Sequence, residues 1–216
     1  MSYLDSSGNN TFFYQVGAMN WEVGAWRQLM KMIPVVQICK TNPIESMADF
    51  GCGAGDVKKI LTANGCLPKQ FVGLDISLEA NADKVVDLSA DSTLPSSSVD
   101  CISVIDLIQN TALDRRNPLY QEMDRVLKRG GLMYCFFRTN YFQPDDANKE
   151  NSVGGESLAN ILAALPQYST QKLWGVNQVE ASESWPTMFP YEFNRIFYSL
   201  GAPELSKFNG IILRKE

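Results

Sequence analysis

With 216 residues, 45% hydrophobic and 20% charged, the chain is long enough for one well-filled core and short for two domains. A formal net charge of −5 and a pI near 4.9 argue against a nucleic-acid partner held through many phosphates, because the pairs Lys58-Lys59, Arg115-Arg116 and Lys128-Arg129 are scattered rather than striped,. No apolar run reaches the roughly 18 residues of a membrane span, and Met1-Ser-Tyr-Leu-Asp5 has neither the basic start nor the apolar stretch of a secretion signal,, so a cytoplasmic protein is expected.

Residues 1–46 precede the first strand. The aromatic piece Thr11-Phe-Phe-Tyr-Gln15 reads as irregular, and apolar residues at helical spacing predict a helix from Trp21 to Ile33, ended by Pro34,. Met47-Ala-Asp-Phe-Gly-Cys-Gly-Ala-Gly-Asp56 then runs from an apolar strand into glycines at alternate positions, followed by helix-compatible Val57-Lys-Lys-Ile-Leu61. A strand, a glycine turn and a helix start let backbone approach a ligand closely and aim unpaired N–H groups at it. A dinucleotide fingerprint would place its third glycine at residue 56, which is Asp here,. The spacing is instead G-x-G-x-G, with Asp49 two places ahead of Gly51.

Gln70-Phe-Val-Gly-Leu-Asp75 is a second buried strand ending in a carboxylate, placed to accept from the two hydroxyls of a ribose,. Lys84-Val-Val-Asp-Leu88 is a third short strand, and Ser77–Lys84 leaves little room for a helix before it. Asp91, Leu94-Pro95 and the strand Ser98–Asp106 follow, then a helix from Glu122 closing on Gly130-Gly131, and the strand Leu132–Phe137. From Asp49 to Phe137 the order of glycine turn, strand-end acid, "D…LP…S-x-D" and "E-x-x-R-V-L-K-x-G-G" resembles the class I S-adenosylmethionine-dependent methyltransferases, of the broad subgroup that acts on small molecules and glycans.

The resemblance implies an α/β, Rossmann-like fold: a seven-stranded sheet, mostly parallel with an antiparallel last strand, and helices on both faces. It implies S-adenosyl-L-methionine as cofactor, with Asp49, Gly51, Cys52, Gly53 and Gly55 around its methionine and ribose, Asp75 on the ribose hydroxyls and Ile76 on the adenine face. Asp91 or its neighbour Ser92 would read the adenine amine; Asp91 lies one residue closer to Leu94-Pro95 than is usual, which leaves Asp87 as the alternate. Beside the methyl donor the family pattern places Asp106-Leu-Ile-Gln-Asn110. Many relatives carry a histidine there; this chain has Gln109 and Asn110, and no histidine anywhere. The lead helix of related enzymes covers the methionine end, so Tyr14, Met19 and Trp21 are candidates to line the transfer site.

Asp106, Asn110 and Tyr14 are the catalytic candidates, with Asp106 also near the cofactor. Arg138, Asn140 and Tyr141 after the fifth strand face the same crevice, and Arg138 is suited to clamp an anionic acceptor. No metal is expected: histidine is missing,, and Asp145-Asp146 read as solvated loop acids. The five cysteines (Cys39, Cys52, Cys66, Cys101 and Cys135) are dispersed, with no C-x-x-C pair; they read as reduced, mostly buried thiols, with Cys52 in the turn the exposed exception.

Asn209-Gly210 between strand-like runs predicts a C-terminal hairpin, Glu204–Phe208 against Ile211–Lys215, preceded by a helix from Tyr191 to Gly201,. Residues 141–188 then become a substrate-side insertion, with a helix from Glu156 to Leu165; a competing trace puts strand six at Gln171–Val176. The resulting organisation is a single domain with a cap (1–46), a cofactor-binding core (47–140), the insertion (141–188) and a last helix plus hairpin (189–216). The acceptor expected is a small molecule or glycan. A cofactor-binding partner subunit without turnover and a methyltransferase acting on RNA or protein are the alternatives.

Overall fold

A computed structural model describes residues 21–139, 155–178, 196–199 and 208–216. Helix α1 (Trp21–Thr41) leads into β1 (Ser46–Phe50), α2 (Asp56–Ala63), β2 (Gln70–Asp75), β3 (Lys84–Val85) and β4 (Val99–Ile105). After one 3-10 turn (Ile108–Asn110) come α3 (Leu113–Val126), β5 (Leu127–Arg138), α4 (Leu158–Ala164), β6 (Tyr168–Gln178), β7 (Ile196–Ser199) and β8 (Phe208–Lys215). The strands form one sheet in the order β3-β2-β1-β4-β5-β8-β6-β7. The first five are parallel, and β8 inserts antiparallel between β5 and β6. This is the Rossmann-like, mixed sheet expected from the sequence, with β7 added as a four-residue edge strand antiparallel to β6.

Side chains alternate across the sheet, as the two-residue period of a strand requires. Met133, Cys135 and Phe137 of β5 join Ala48, Phe50, Ile102 and Val104 under α3 and α4, where Leu119, Met123, Val126 and Ile161 are buried. The intervening Leu132, Tyr134 and Phe136 join Met47 and Cys101 on the other face, under Met32, Val35 and Ile38 of α1 and Val57 and Leu61 of α2. Strands covered on both faces read as unbroken apolar runs, which is why β1, β4 and β5 were legible.

Five local expectations are corrected. Helix α1 does not stop at Pro34 but continues to Thr41. A proline forfeits one helical hydrogen bond, and burial of Met32, Val35 and Ile38 on either side of it carries the helix through. Asn209-Gly210 is not a hairpin turn: both residues lie inside β8, opposite Phe137 and Phe136 of β5 and Gly175 and Trp174 of β6. The competing trace is the right one, because β6 (Tyr168–Gln178) is an interior strand inside the stretch read as an insertion. Residues 196–199, expected within a helix, are the strand β7. The helix before β5 ends at Val126, and Gly130-Gly131 fall in an irregular stretch of β5 where the register with β4 jumps between Val99 and Cys101.

Candidate active site

In an open α/β sheet, ligands occupy the crevice beyond the carboxyl ends of the strands. Four of those ends, from β1, β2, β4 and β5, supply the site here. The turn after β1 has Gly51, Gly53 and Gly55 all at positive φ (74°, 50° and 74°), a region side chains rarely adopt. Space sorts them further. A Cβ on Gly51 would meet Leu107 Cδ1 at 3.0 Å and one on Gly55 would meet Asn81 Nδ2 at 3.0 Å, but one on Gly53 would meet nothing within 4 Å. Gly53 therefore borders open space, and its backbone is where a ligand can come closest.

Asp75, at the end of β2, is buried and ties that turn down. Its Oδ2 accepts from the Gly53 N–H at 2.9 Å and its Oδ1 from the Ser77 N–H at 2.9 Å. A carboxylate has about four acceptor positions, so capacity for two hydroxyl donors remains. Ile76 follows, 39% exposed, which is a large apolar side chain presented at the crevice. An apolar face, a carboxylate with capacity for a diol and an uncovered glycine backbone together fit the ribose and base of an adenosine.

Asp49 sits under the turn, 1% exposed, and accepts from Ser103 Oγ at 2.6 Å. Burial pushes its carboxyl up to about 7; the Ser103 hydrogen bond opposes this, and the charges of Asp75 and Asp56 add to it. The folded chain thus holds a proton there that the unfolded chain releases from about 3.8 upward, so stability should fall as pH rises between those values and level off above them. Asp49→Asn, which keeps the acceptor for Ser103, is expected to be more stable than wild type by about 2 kcal/mol or more above neutrality and to converge with it at pH about 4. Denaturant titrations at both pH values check this; a constant offset between the two proteins would contradict it.

Cys52, expected to be the exposed thiol, is buried at 8% exposure. Burial, with the nearby charges of Asp49, Asp75 and Asp83, pushes it up to about 12, so it contributes a small side chain to the turn and no nucleophile.

Asp91 and Ser92 are not where the adenine reading needs them. Asp91 is exposed and lies 3.7 Å from Arg125 Nη2, and the buried Ser92 gives its N–H to Glu122 Oε1 at 2.8 Å. Arg125 and Glu122 belong to the last turns of α3, next to where β5 begins. That is the amino end of the sheet, opposite the crevice. The nearness of Asp91 to Leu94-Pro95 in sequence did not reveal that the chain has already descended the sheet by residue 91. Asp87 lies closer to the crevice: Val86 is bonded to Asp75 O, and Asp87 pairs with Arg115 in the first turn of α3. Burial raises the Asp87 carboxyl, but hydrogen bonds from Ser89 and Arg115 outweigh it and hold the group below its usual value.

At the end of β4, Asp106 adopts φ 57°. Its N–H binds Phe136 O at 2.9 Å, and its carboxylate accepts from Gln109 Nε2 at 2.9 Å and pairs with Lys31 of α1. Asn110 is exposed and donates Nδ2 to Asp106 O at 2.6 Å, fastening the turn. Arg138 ends β5 beside this group; burial lowers its guanidinium, against the charge of Asp106. Tyr14, Met19, Asn140, Tyr141, Asp145 and Asp146 lie outside the described residues, as does the side chain of Trp21. Sequence reading missed Lys31, which gave only the faint signal of a cation within an apolar helical pattern. It also missed Asn81, packed on Gly55, and Asp83, which binds the Gly73 N–H and Lys58.

A family model described as a methyltransferase domain matches residues 48–135. No curated protein matches the chain. Among solved structures, the chain is similar to the N-methyltransferase NodS of Bradyrhizobium japonicum WM9 in complex with S-adenosyl-L-homocysteine: TM-score 0.60, 13% identity, 88% of this chain and 86% of that one. It is also similar to a SAM-dependent methyltransferase of Archaeoglobus fulgidus, at TM-score 0.58 and 15% identity over 88% and 94% of the two chains. A third similar structure, from a complex containing the Trm112 methyltransferase activator of Haloferax volcanii, has TM-score 0.61 and 17% identity over 91% and 93%.

Proposed function

We propose that this chain, which belongs to the class I S-adenosylmethionine-dependent methyltransferases, methylates a small-molecule or glycan acceptor by in-line displacement, through positioning and exclusion of water rather than through a histidine base. The observation that carries the reading is the turn at Gly51–Gly55 with Asp75 bonded to Gly53, a cradle with open space above it. The cofactor, when bound, would supply a methyl activated on a sulfonium: an acceptor lone pair would bond to the methyl carbon as the carbon–sulfur bond breaks and a neutral thioether leaves.

The protein's share is orientation, which can supply about 7–11 kcal/mol of a bimolecular barrier. Asp75 would hold the ribose and Ile76 the adenine, with Asp87 the better-placed carboxylate toward the base. Asp49 and the glycines would shape the methionine end. Asp106, held by Lys31 and Gln109, would face the acceptor, with Asn110 fixing its loop. The net charge of −5 supports a small or glycan acceptor over RNA.

A second reading is favoured by one observation. A similar structure comes from a complex with an activator subunit, so this chain could also act in company with a partner, on RNA or protein. Incubating the protein with methyl-labelled S-adenosylmethionine and fractionated cell extract separates the two. Label is expected in the metabolite and glycan fractions. Label confined to RNA or protein, or appearing only with a co-purified subunit, would replace the first reading with the second.

A further inference from the structure

Lys31 and Asp106 form an ion pair whose side chains are only 14% and 16% exposed. The pair joins elements far apart in the chain. Lys31 sits on α1, where its carbonyl accepts from Tyr134 OH at 2.7 Å, and its ammonium also lies 5.7 Å over the Phe136 ring. Asp106 terminates β4, and the next residue, Leu107, packs against the backbone of Gly51. The carboxylate of the pair is thus carried by the residue next to one that packs on the glycine turn.

We propose that Lys31 is a positioning residue that cancels the charge of Asp106 at the methyl-donor site, so that the crevice does not favour the sulfonium form of the cofactor over its neutral thioether product. The inference rests on the methyltransferase reading above. The physical reason is differential binding. An uncompensated carboxylate beside the turn would attract a cationic donor in the ground state. As the methyl leaves, positive charge leaves the sulfur and that attraction is lost, so it would tighten donor binding while raising the barrier. A lysine ammonium held on the carboxylate removes the penalty. Because the pair is sheltered, it is poorly screened by solvent, and each partner's deletion should leave the other's charge exposed to the ligand. Arg138 also bears on Asp106 and stays constant in every variant below.

The test is calorimetric titration of the full chain, at low salt, with S-adenosylmethionine and S-adenosylhomocysteine separately, reading the ratio of the two affinities. Lys31→Met is expected to shift that ratio toward the sulfonium by about fivefold or more. Asp106→Asn, which leaves the lysine charge uncovered, should shift it the opposite way. Lys31→Arg should stay within about twofold of wild type, since it restores the cation. Opposite signs in the two deletions cannot come from a loosened fold, which would weaken both ligands together. Equal weakening of both ligands in both variants, or no change of ratio, overturns the proposal while leaving the methyltransferase reading intact. If wild type binds neither ligand, that reading itself fails. Should Lys31→Met prove unfolded by circular dichroism, the sign of the Asp106→Asn shift decides.

Discussion

Asp75→Ala is expected to weaken binding of S-adenosylmethionine by a hundredfold or more, the largest effect of any single substitution at the site. The two ribose hydroxyl donors set this magnitude. A carboxylate accepting from two ribose hydroxyls makes two charge-assisted hydrogen bonds, each worth about 1.5–3 kcal/mol, and every 1.4 kcal/mol is about tenfold in affinity. Alanine also removes the acceptors of the Gly53 and Ser77 N–H groups, so the turn loses the restraint that holds its open face. Asp75→Asn divides the two contributions. The amide oxygen can still serve one backbone N–H, but its NH2 opposes the other, so an intermediate loss is expected, together with a lowered melting temperature. Titration calorimetry reads both variants. If Asp75→Ala binds the cofactor within threefold of wild type, the ribose role assigned to this carboxylate is wrong, even with the fold intact.

The glycine turn and the strand-end acid of the proposed cradle were legible because their signals are local and their causes are steric. Glycines at alternate positions mark backbone that must enter positive φ, and an acid closing an apolar run marks a strand end at the rim of the sheet. What could not be read depends on distant parts of the chain. Asp91 matched a motif through its neighbours in sequence, yet it sits beside α3's last turn, and only the path of the chain between β3 and β4 decides which end of the sheet it reaches. Lys31 and Asp106 are separated by 75 positions, and no pattern in either segment announces the other. Pro34 gave a sound local stop signal that burial of α1 on both sides overruled. Cys52 looked exposed because it lies in a turn. The loop that carries Asn81 and Asp83 covers that turn, and Gly73 packs against its sulfur at a would-be Cβ distance of 3.1 Å.

At Asn209-Gly210, too, a distant part of the chain decides the local structure. Asn-Gly favours a two-residue turn because both residues accept positive φ, but here glycine serves a different need. Gly210 faces Trp174 across the β6–β8 pair, and a Cβ built on it would stand 2.3 Å from the indole Cε2 and Cζ2, far inside van der Waals contact. The ring cannot easily yield: Trp174 is 7% exposed and stacks on Tyr134 at 6.0 Å between centroids, 12° from parallel. Gly210 is thus the space that lets a large aromatic lie flat on the middle of the sheet, and a missing side chain outweighs the β-propensity that glycine costs a strand. Gly210→Ala should therefore destabilise by about 3 kcal/mol or more, at the upper end of overpacking penalties, since either the indole leaves its stack or β8 shifts against β6. Trp174→Leu alone should also destabilise, by lost burial. The two should not add: with the indole gone the alanine methyl has room, so the double variant is expected close to Trp174→Leu alone. Denaturant midpoints for the three proteins settle it, and a Gly210→Ala protein that unfolds with wild type would mean that the indole does not lie on this glycine.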